Sequence, residues 1–505
     1  MRTSEEVAGL ASWRADWSGL RVAVLGLGIT GFSVADTLAE LEADVLVLSN
    51  SADEPTARLL EVIGVPLVLT DLGRGPVDEL IAFDPELVVV SPGFSPSHPI
   101  VRWAGERGVP VWGDVELAWR LRDKVGTPAE WMMVTGTNGK TTTVQLATAM
   151  LAAAGFRVAA CGNVGVPVLD AIRRPEGFEV LVVELSSFQL HYTESLAAHT
   201  SVCLNLADDH LDWHGSAEGY RRDKARVYEN TRVACVFNQE DQATRQMVEE
   251  AEVAEGCRAI GFTLGVPGPS DFGIVDGILL DRAFLDDRHR TALELTTVDE
   301  LETVGLGSPH MTANVLAASA IARSFGAKPE DIRTALGEFR LDQHRTELVA
   351  SRDGVRWIND SKATNPHAAT AALRSFDPVV WIVGGLFKGV DVDDLVAGQI
   401  ARLRAAIVIG ENRQSLIEAF ARHAPELPVF EVATTDTKEV MPIAVQLSAA
   451  VARDGDVVLL APAAASMDQF VNYADRGNRF AAAVQDFLEG KPDDHQRPTQ
   501  PAPGA

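Results

Sequence analysis

The stretch WMMVTGTNGKTTTVQLATAM, residues Trp131 to Met150, decides the fold. Its first four residues, Trp131 to Val134, form a short apolar run of the kind seen in strands buried on both faces. The run breaks at Gly136-Thr137-Asn138-Gly139, and an Ala- and Thr-rich segment with helical spacing follows at once. Strand, Gly-rich turn and helix together make a phosphate cradle, because backbone N–H groups and a helix N-terminus converge on an anion. Lys140 adds a point charge, and the hydroxyl of Thr141 or Thr142 stands where it could reach a bound Mg²⁺. Two residues separate Gly136 from Gly139, where the usual phosphate loop has four between its glycines. The flanking strand and helix are both correct, so nucleotide phosphate binding is expected here.

The 505 residues are enough for about three domains. A hydrophobic content of 46% with 23% charged residues is that of a globular protein. The net charge of −27 argues against a nucleic-acid or anionic-membrane partner, so a small anionic substrate would need local basic or N–H sites. Cys161, Cys203, Cys235 and Cys257 show no CxxC spacing, which argues against a zinc site or a disulfide framework and suits a reducing compartment. No basic-then-apolar leader opens the chain, and its apolar runs are short of membrane-spanning length. A cytoplasmic protein is expected.

Upstream of the cradle, residues 1–20 carry no pattern and read as partly ordered. Val22–Leu25 then runs into Gly26-Leu27-Gly28-Ile29-Thr30-Gly31 and a helical segment to about Glu42. Strand-like runs follow at Val45–Leu48, Pro66–Leu69 and Leu87–Val90, an alternation that implies a parallel sheet with helices on both faces. The GxGxxG turn is open to three readings: a dinucleotide site, a site for another phosphorylated group, or close helix packing. The second strand ends in Ser49-Asn50 where an NAD site would want Asp or Glu. Ser91-Pro92-Gly93 is a second turn on the same sheet edge, which favours a ligand over packing alone. Trp112 to Glu116 reads as the start of another helix.

Downstream, Val158–Cys161 leads to the turn Gly162–Gly165, and Leu181 to Gln189 carries Glu184 at the end of a buried strand. A carboxylate there needs a partner, either a nucleotide's Mg²⁺ or an arginine. The strand Ser201–Leu206 leads into Asp208-Asp209-His210, a cluster suited to a second metal or a phosphate contact. Tyr220 to Tyr228 reads as a helix carrying Lys224, which the residues alone do not distinguish from a solvated charge. Residues 250–305 are short β-like and turn-like pieces without a motif, and Ser308 to Ser324 is a helix carrying Asn314. The last third opens at Leu341–Arg345. Its strand Val355–Ile358 runs into Asn359-Asp360-Ser361-Lys362-Ala363-Thr364-Asn365, with Pro366 in a helix's first turn. Val379–Val383, Ala405–Ile409 and Val457–Leu460 likewise end in polar or Gly-rich turns. Residues 491–505 read as a disordered tail. With no nucleophile in an elbow context, the residues point to phosphoryl transfer from ATP to a substrate oxygen.

From Gly26 to Gly477 these motifs, in this order, resemble the Mur ligases of peptidoglycan synthesis. Gly136 to Thr142 is shared by the ATP-dependent members and is similar to the folylpolyglutamate synthase loop. Ser91–Gly93, Glu184–Gln189 and Asn359–Asn365 look like the branch that adds D-glutamate. The resemblance implies an α/β chain of three domains. These are a Rossmann-like domain at 1–118 for the UDP-linked substrate, a P-loop ATPase-like domain at 119–341 with a mainly parallel sheet, and a Rossmann-like domain at 342–490 for the amino acid. It implies a monomer using ATP and two Mg²⁺ ions, with UDP-N-acetylmuramoyl-L-alanine and D-glutamate as substrates. Lys140, His210, Lys224 and Lys362 would serve catalysis. Gly136, Thr137, Asn138, Gly139, Lys140, Thr141, Thr142, Asn314, Arg345 and Asp360 would hold ATP. Thr141, Glu184, His210 and Lys224, the last as a carbamate, would hold metal. Ile29, Thr30, Ser49, Asn50, Ser91, Gly93, Asn163, Ser186 and Gln189 would face the UDP-sugar, and Thr364, Lys388, Ser466, Met467 and Tyr473 the D-glutamate. Three readings compete: another Mur or folylpolyglutamate-type ligase, a dinucleotide-dependent oxidoreductase using Gly26–Gly31, and a non-catalytic nucleotide sensor, against which Lys140, Glu184 and His210 argue.

Overall fold

Three successive sheets carry the expected turns at their strand ends. The structure, a computed structural model, describes residues 2–387, 392–434 and 436–490. It divides into two units, one ending at Phe339 and the other beginning at Arg340. Lys388 and the segment 491–505 lie outside the described residues.

The first sheet is wholly parallel: β1 (Arg21–Leu25), β2 (Asp44–Ser49), β3 (Leu67–Leu69), β4 (Leu87–Val90) and β5 (Val111–Gly113), in the order β3-β2-β1-β4-β5. Its strand order reverses between β1 and β4, so the Gly26 turn and the Ser91 turn flank the crevice where such sheets bind ligands. The second sheet has nine strands: β6 (Glu130–Thr135), β7 (Val158–Gly162), β8 (Val180–Glu184), β9 (Thr200–Cys203), β10 (Ala234–Asn238), β11 (Arg258–Phe262), β12 (Asp271–Val275), β13 (Ile278–Asp281) and β14 (Leu293–Thr297). The cradle strand β6 lies in its interior, between β8 and β9, and is buried along Trp131 to Thr135. The first two sheets share one apolar core. Val24, Val47, Trp119, Trp131 and Leu190 belong to the same buried cluster, and the Trp119 and Trp131 rings meet edge to face at 5.1 Å.

In the second unit, β15 (Glu347–Arg352), β16 (Val355–Asn359), β17 (Val379–Gly384), β18 (Leu403–Ile409), β19 (Val429–Glu431) and β20 (Val457–Leu460) pair in the order β15-β16-β20-β17-β18-β19. Only β15 runs antiparallel. Both faces of this sheet are covered, one packing around Trp381 and Phe420, the other around Met441 and Phe480. The apolar strand runs of the sequence reflect that two-sided burial.

Three expectations need correction. Residues 2–20 are ordered: Ser4–Ala8 is a helix with a Thr3–Glu6 capping box, and Val7, Leu10, Trp17 and Leu20 are buried. Four anchors so irregularly spaced leave no periodic signal. Trp112 belongs to strand β5, and the helix starts only at Asp114. The strand read as Ser201–Leu206 ends at Cys203, because Asn205 is turned aside to bind the cradle. The β-like pieces expected between Asp271 and Leu295 are strands: β12 extends the sheet parallel to β11, and β13 and β14 follow antiparallel.

Candidate active site

The cradle is built by backbone constraint. Gly139 has φ +84, and a Cβ there would stand 2.4 Å from Asn314 Oδ1, so a side chain is excluded both by conformation and by the Asn314 helix. The helix Lys140–Ala153 begins immediately after. Asn205 clasps the turn reciprocally: its Oδ1 accepts from Asn138 N at 2.8 Å and its Nδ2 donates to Asn138 O at 3.1 Å. Thr137 is tied by its N–H to Asn205 O at 3.0 Å and by its hydroxyl to Ala207 O and Tyr220. Lys140 bends back over the turn, donating to Gly136 O at 2.8 Å and Thr137 O at 2.9 Å. Thr141 and Thr142 are buried in the helix's first turn. Eight of the expected ATP residues, Gly136 to Thr142 with Asn314, therefore form one surface.

Beneath the turn lies Lys224, 2% exposed. Its ammonium donates to Gly136 O at 2.9 Å and sits 4.9 Å from the Tyr220 ring centre. Burial first, and the charge of Lys140 second, push its pKa down to about 7. Glu184 ends β8 in a buried position. Asn163 holds it twice, with Nδ2 on Oε1 at 2.9 Å and N on the Glu184 carbonyl at 2.9 Å. The other carboxylate oxygen, Oε2, is buried with no hydrogen-bond partner among the described residues. Asn163, expected to face the UDP-sugar, is thus turned toward Glu184.

His210 takes φ +53 in the loop between β9 and the Leu211–His214 helical turn. Its ring meets the Phe188 ring at 4.7 Å, and Phe188 stacks on Trp213 at 4.6 Å. The Glu184–Gln189 motif and the His210 loop are therefore one assembly. A buried relay joins them to the Lys224 helix. Ser187 Oγ meets His214 Nε2 at 2.9 Å, His214 Nδ1 meets Asp223 at 2.7 Å, and His191 Nδ1 meets the other Asp223 oxygen at 2.9 Å. Burial raises the Asp223 pKa, but the two histidine bonds outweigh it and bring the value to about 2. Among the described residues, no three His, Cys, Asp or Glu side chains gather as a metal set.

On the first sheet, Ile29 is 80% exposed at the crevice mouth and Gly28 caps the helix behind it. Ser49 and Asn50 are spent locally. Ser49 Oγ donates to Ser51 O at 2.7 Å, and Asn50 Oδ1 accepts from Leu72 N at 2.9 Å. That leaves the dinucleotide reading without its ribose partner at this strand end. Ser186 and Gln189 form a capping box on the helix Ser187–His191. In the second unit, Lys362 Nζ lies 3.8 Å from the Tyr473 ring centre, and Thr364 N donates to Lys362 O at 2.8 Å. Burial lifts Asp360 to about 6 against the Thr346 N–H and the Arg345 charge. Ser466 is buried and Met467 is 65% exposed.

Profiles of known families match in chain order. The MurD-like N-terminal domain covers residues 20–113, the Mur ligase middle domain 134–322, and the Mur ligase glutamate ligase domain 344–464. A UDP-N-acetylmuramoylalanine–D-glutamate ligase from Leifsonia xyli subsp. xyli is 61% identical over the full length of both chains. The chain belongs to the Mur ligase family. A protein of the same name from Streptomyces coelicolor is 51% identical over 94% of this chain and 99% of its own. Two solved structures share the fold of this Mur ligase. One is a pseudomurein peptide ligase type C from Methanothermus fervidus, with TM-score 0.54 and 16% identity over 92% of this chain and all of that one. The other is a MurF ligase from Thermotoga maritima in complex with ADP, with TM-score 0.53 and 17% identity over 97% of this chain and all of that one. Among the described residues of this Mur ligase, no helix is long and apolar enough to cross a membrane.

Sequence reasoning missed Asn205, Asp223, Asp114 and Arg476 in this Mur ligase. Asn205 sits just past the end of β9, a position that strand-end logic could have flagged. Arg476 is fully buried and donates to Ser361 Oγ, Ser361 O and Ala464 O, bracing the Asn359–Asn365 motif from below. No local pattern identifies it, because its partners are distant in sequence.

Proposed function

We propose that this chain adds D-glutamate to UDP-N-acetylmuramoyl-L-alanine at the cost of ATP, forming an amide and releasing ADP and phosphate. The carrying observation is the buried pairing of a P-loop with Glu184 and Lys224 beneath it, in a chain 61% identical from end to end to a ligase of that name. The γ-phosphoryl group passes to the substrate's terminal carboxylate, giving an acyl phosphate and ADP. The D-glutamate amine attacks the carbonyl carbon and loses a proton, and phosphate leaves.

Backbone N–H groups of the Gly136–Gly139 turn and the Lys140 ammonium orient the phosphates. Asn314 lies against Gly139 on the ATP side. Two Mg²⁺ ions, when bound, offset charge on the phosphoryl oxygens. The buried, partnerless Glu184 Oε2 fits a cation, as does the Thr141 hydroxyl, with His210 serving a second ion. An ammonium at Lys224 does not fit beside a cation, whereas a carbamate does. A pKa of about 7 leaves much of the amine neutral and able to take up CO₂ with loss of a proton. The first sheet's edge and Gln189 receive the UDP-sugar. Arg345 and Asp360 are assigned to ATP, and Lys362, Thr364, Lys388, Ser466, Met467 and Tyr473 to D-glutamate. The domains are assigned as 1–118, 119–341 and 342–490, and the chain is assigned as a cytoplasmic monomer.

The test is phosphate release with ATP, UDP-N-acetylmuramoyl-L-alanine and a panel of amino acids. Release dependent on D-glutamate is expected. Release with L-lysine or meso-diaminopimelate, but none with D-glutamate, would overturn the assignment.

A further inference from the structure

The carboxyl edge of the first sheet holds a row that sequence reasoning read only in part. Leu25 is in register with Leu48 and with Val90, and Val90 with Gly113. One step beyond these pairs stand Ser49, Gly26, Ser91 and Asp114. The first three were expected at the substrate edge, and the fourth was not.

Asp114 is 4% exposed, and among the described residues no arginine, lysine or histidine bonds to it. Oδ2 accepts from Gln189 Nε2 at 3.4 Å, while Oδ1 is buried with no hydrogen-bond partner. A buried carboxylate so poorly compensated costs stability and gives the fold little in return. Burial outweighs the Gln189 bond and the nearby N–H groups of Val115 and Asp114, raising the carboxyl pKa to about 6. What the carboxylate does supply is direction. Gln189 Oε1 accepts from Ser186 N at 3.1 Å and Ser186 Oγ at 3.2 Å. Ser186 N–H requires an oxygen opposite it, and Asp114 requires a donor, so the carboxamide has one permitted orientation. In that orientation one Nε2 hydrogen remains unassigned, and Gln189 can act outward only as a donor.

We propose that Asp114 is a positioning residue acting through Gln189, holding its carboxamide so that it donates to a carbonyl or carboxylate oxygen on the sugar–peptide part of the UDP-linked substrate. The inference rests on the functional reading above. The row supplies the location: it begins at Ser49, passes the two Gly- and Ser-bearing turns, and reaches Asp114 and Gln189 next to the Glu184 motif. The affected portion of the ligand is thus the part nearest the ligation chemistry, not the uridine.

The experiment measures binding of UDP, ATP and UDP-N-acetylmuramoyl-L-alanine by calorimetry in the full-length chain. Asp114→Leu keeps the shape of the side chain and removes the acceptor. It should weaken the full substrate about tenfold, the scale of one hydrogen bond, while leaving UDP and ATP binding and the melting temperature unreduced. Asp114→Asn, which can still present an oxygen to Gln189, should restore most of the affinity. Gln189→Met should lose as much as Asp114→Leu, and the double variant no more than either. Additive losses, equal weakening of all three ligands, or no loss in Asp114→Leu would each overturn the inference. If Asp114→Leu does not fold, equal full-substrate affinity in Gln189→Met and the wild-type chain overturns it. A wild-type chain that binds none of the UDP ligands would instead overturn the functional reading, and this inference with it.

Discussion

Lys224 shows how one residue can change meaning with its surroundings. In the sequence it is a lysine on a polar helix, indistinguishable from a solvated charge. In the structure it is buried, aimed at Gly136 O, with its pKa brought down to about 7 by burial and by Lys140. Nothing local announces this, because the groups it bonds to, Thr135 and Gly136, come from the end of β6. Only the family resemblance drew attention to it. Lys224→Ala should lower turnover about a hundredfold or more, as loss of a group facing developing charge does. Added formate or acetate should return part of that activity by standing in for a carbamate. Turnover equal to wild type in Lys224→Ala would refute the metal-side role.

At the scale of elements, the short helix Ala217–Ala225 is held by polar ties on two faces. Tyr220 and Lys224, one turn apart, face the phosphate turn, while Asp223 faces His191 and His214. His214→Ala should leave Ser187 unpaired and Asp223 with one histidine, lowering stability by about 1–3 kcal/mol. Urea unfolding would show a lower midpoint with an unchanged slope, and an unshifted midpoint would mean the relay does not hold the helix. Elements such as β1, β8 and β20 were legible because burial on both faces writes itself as an uninterrupted apolar run ending at a glycine or polar turn. The site's anion-binding turns were legible for the same reason. The relay was not, since histidine and aspartate at 191, 214 and 223 have no shared spacing and gain a role only through packing. The short strand β5 was hidden because Val111 to Gly113 is too brief for any period to emerge.

At the scale of the molecule, three families of domain are readable in sequence, yet the chain forms two units. The first two sheets share a core through Trp119 and Trp131. They are also tied on the surface, where Arg173 bonds to Asp36 at 2.6 Å and to Glu40 at 2.9 Å. A chain of residues 2–339 should therefore unfold as one cooperative body. Backbone amide exchange at Val22–Leu25, in the first sheet, and at Met132–Val134, in the second, should report the same urea midpoint. Two separated midpoints would show that the sheets melt independently. The shared core also bears on inheritance. A domain bounded by a profile looks portable, but one whose wall is made by its neighbour is not. Exchanging the first domain, residues 1–118, for that of a sister ligase would leave Arg173 without its acids Asp36 and Glu40, and Asp170 without the Ser33 hydroxyl. Substrate preference in this family would then have to change residue by residue along the sheet edge, and not by trading the module that carries it.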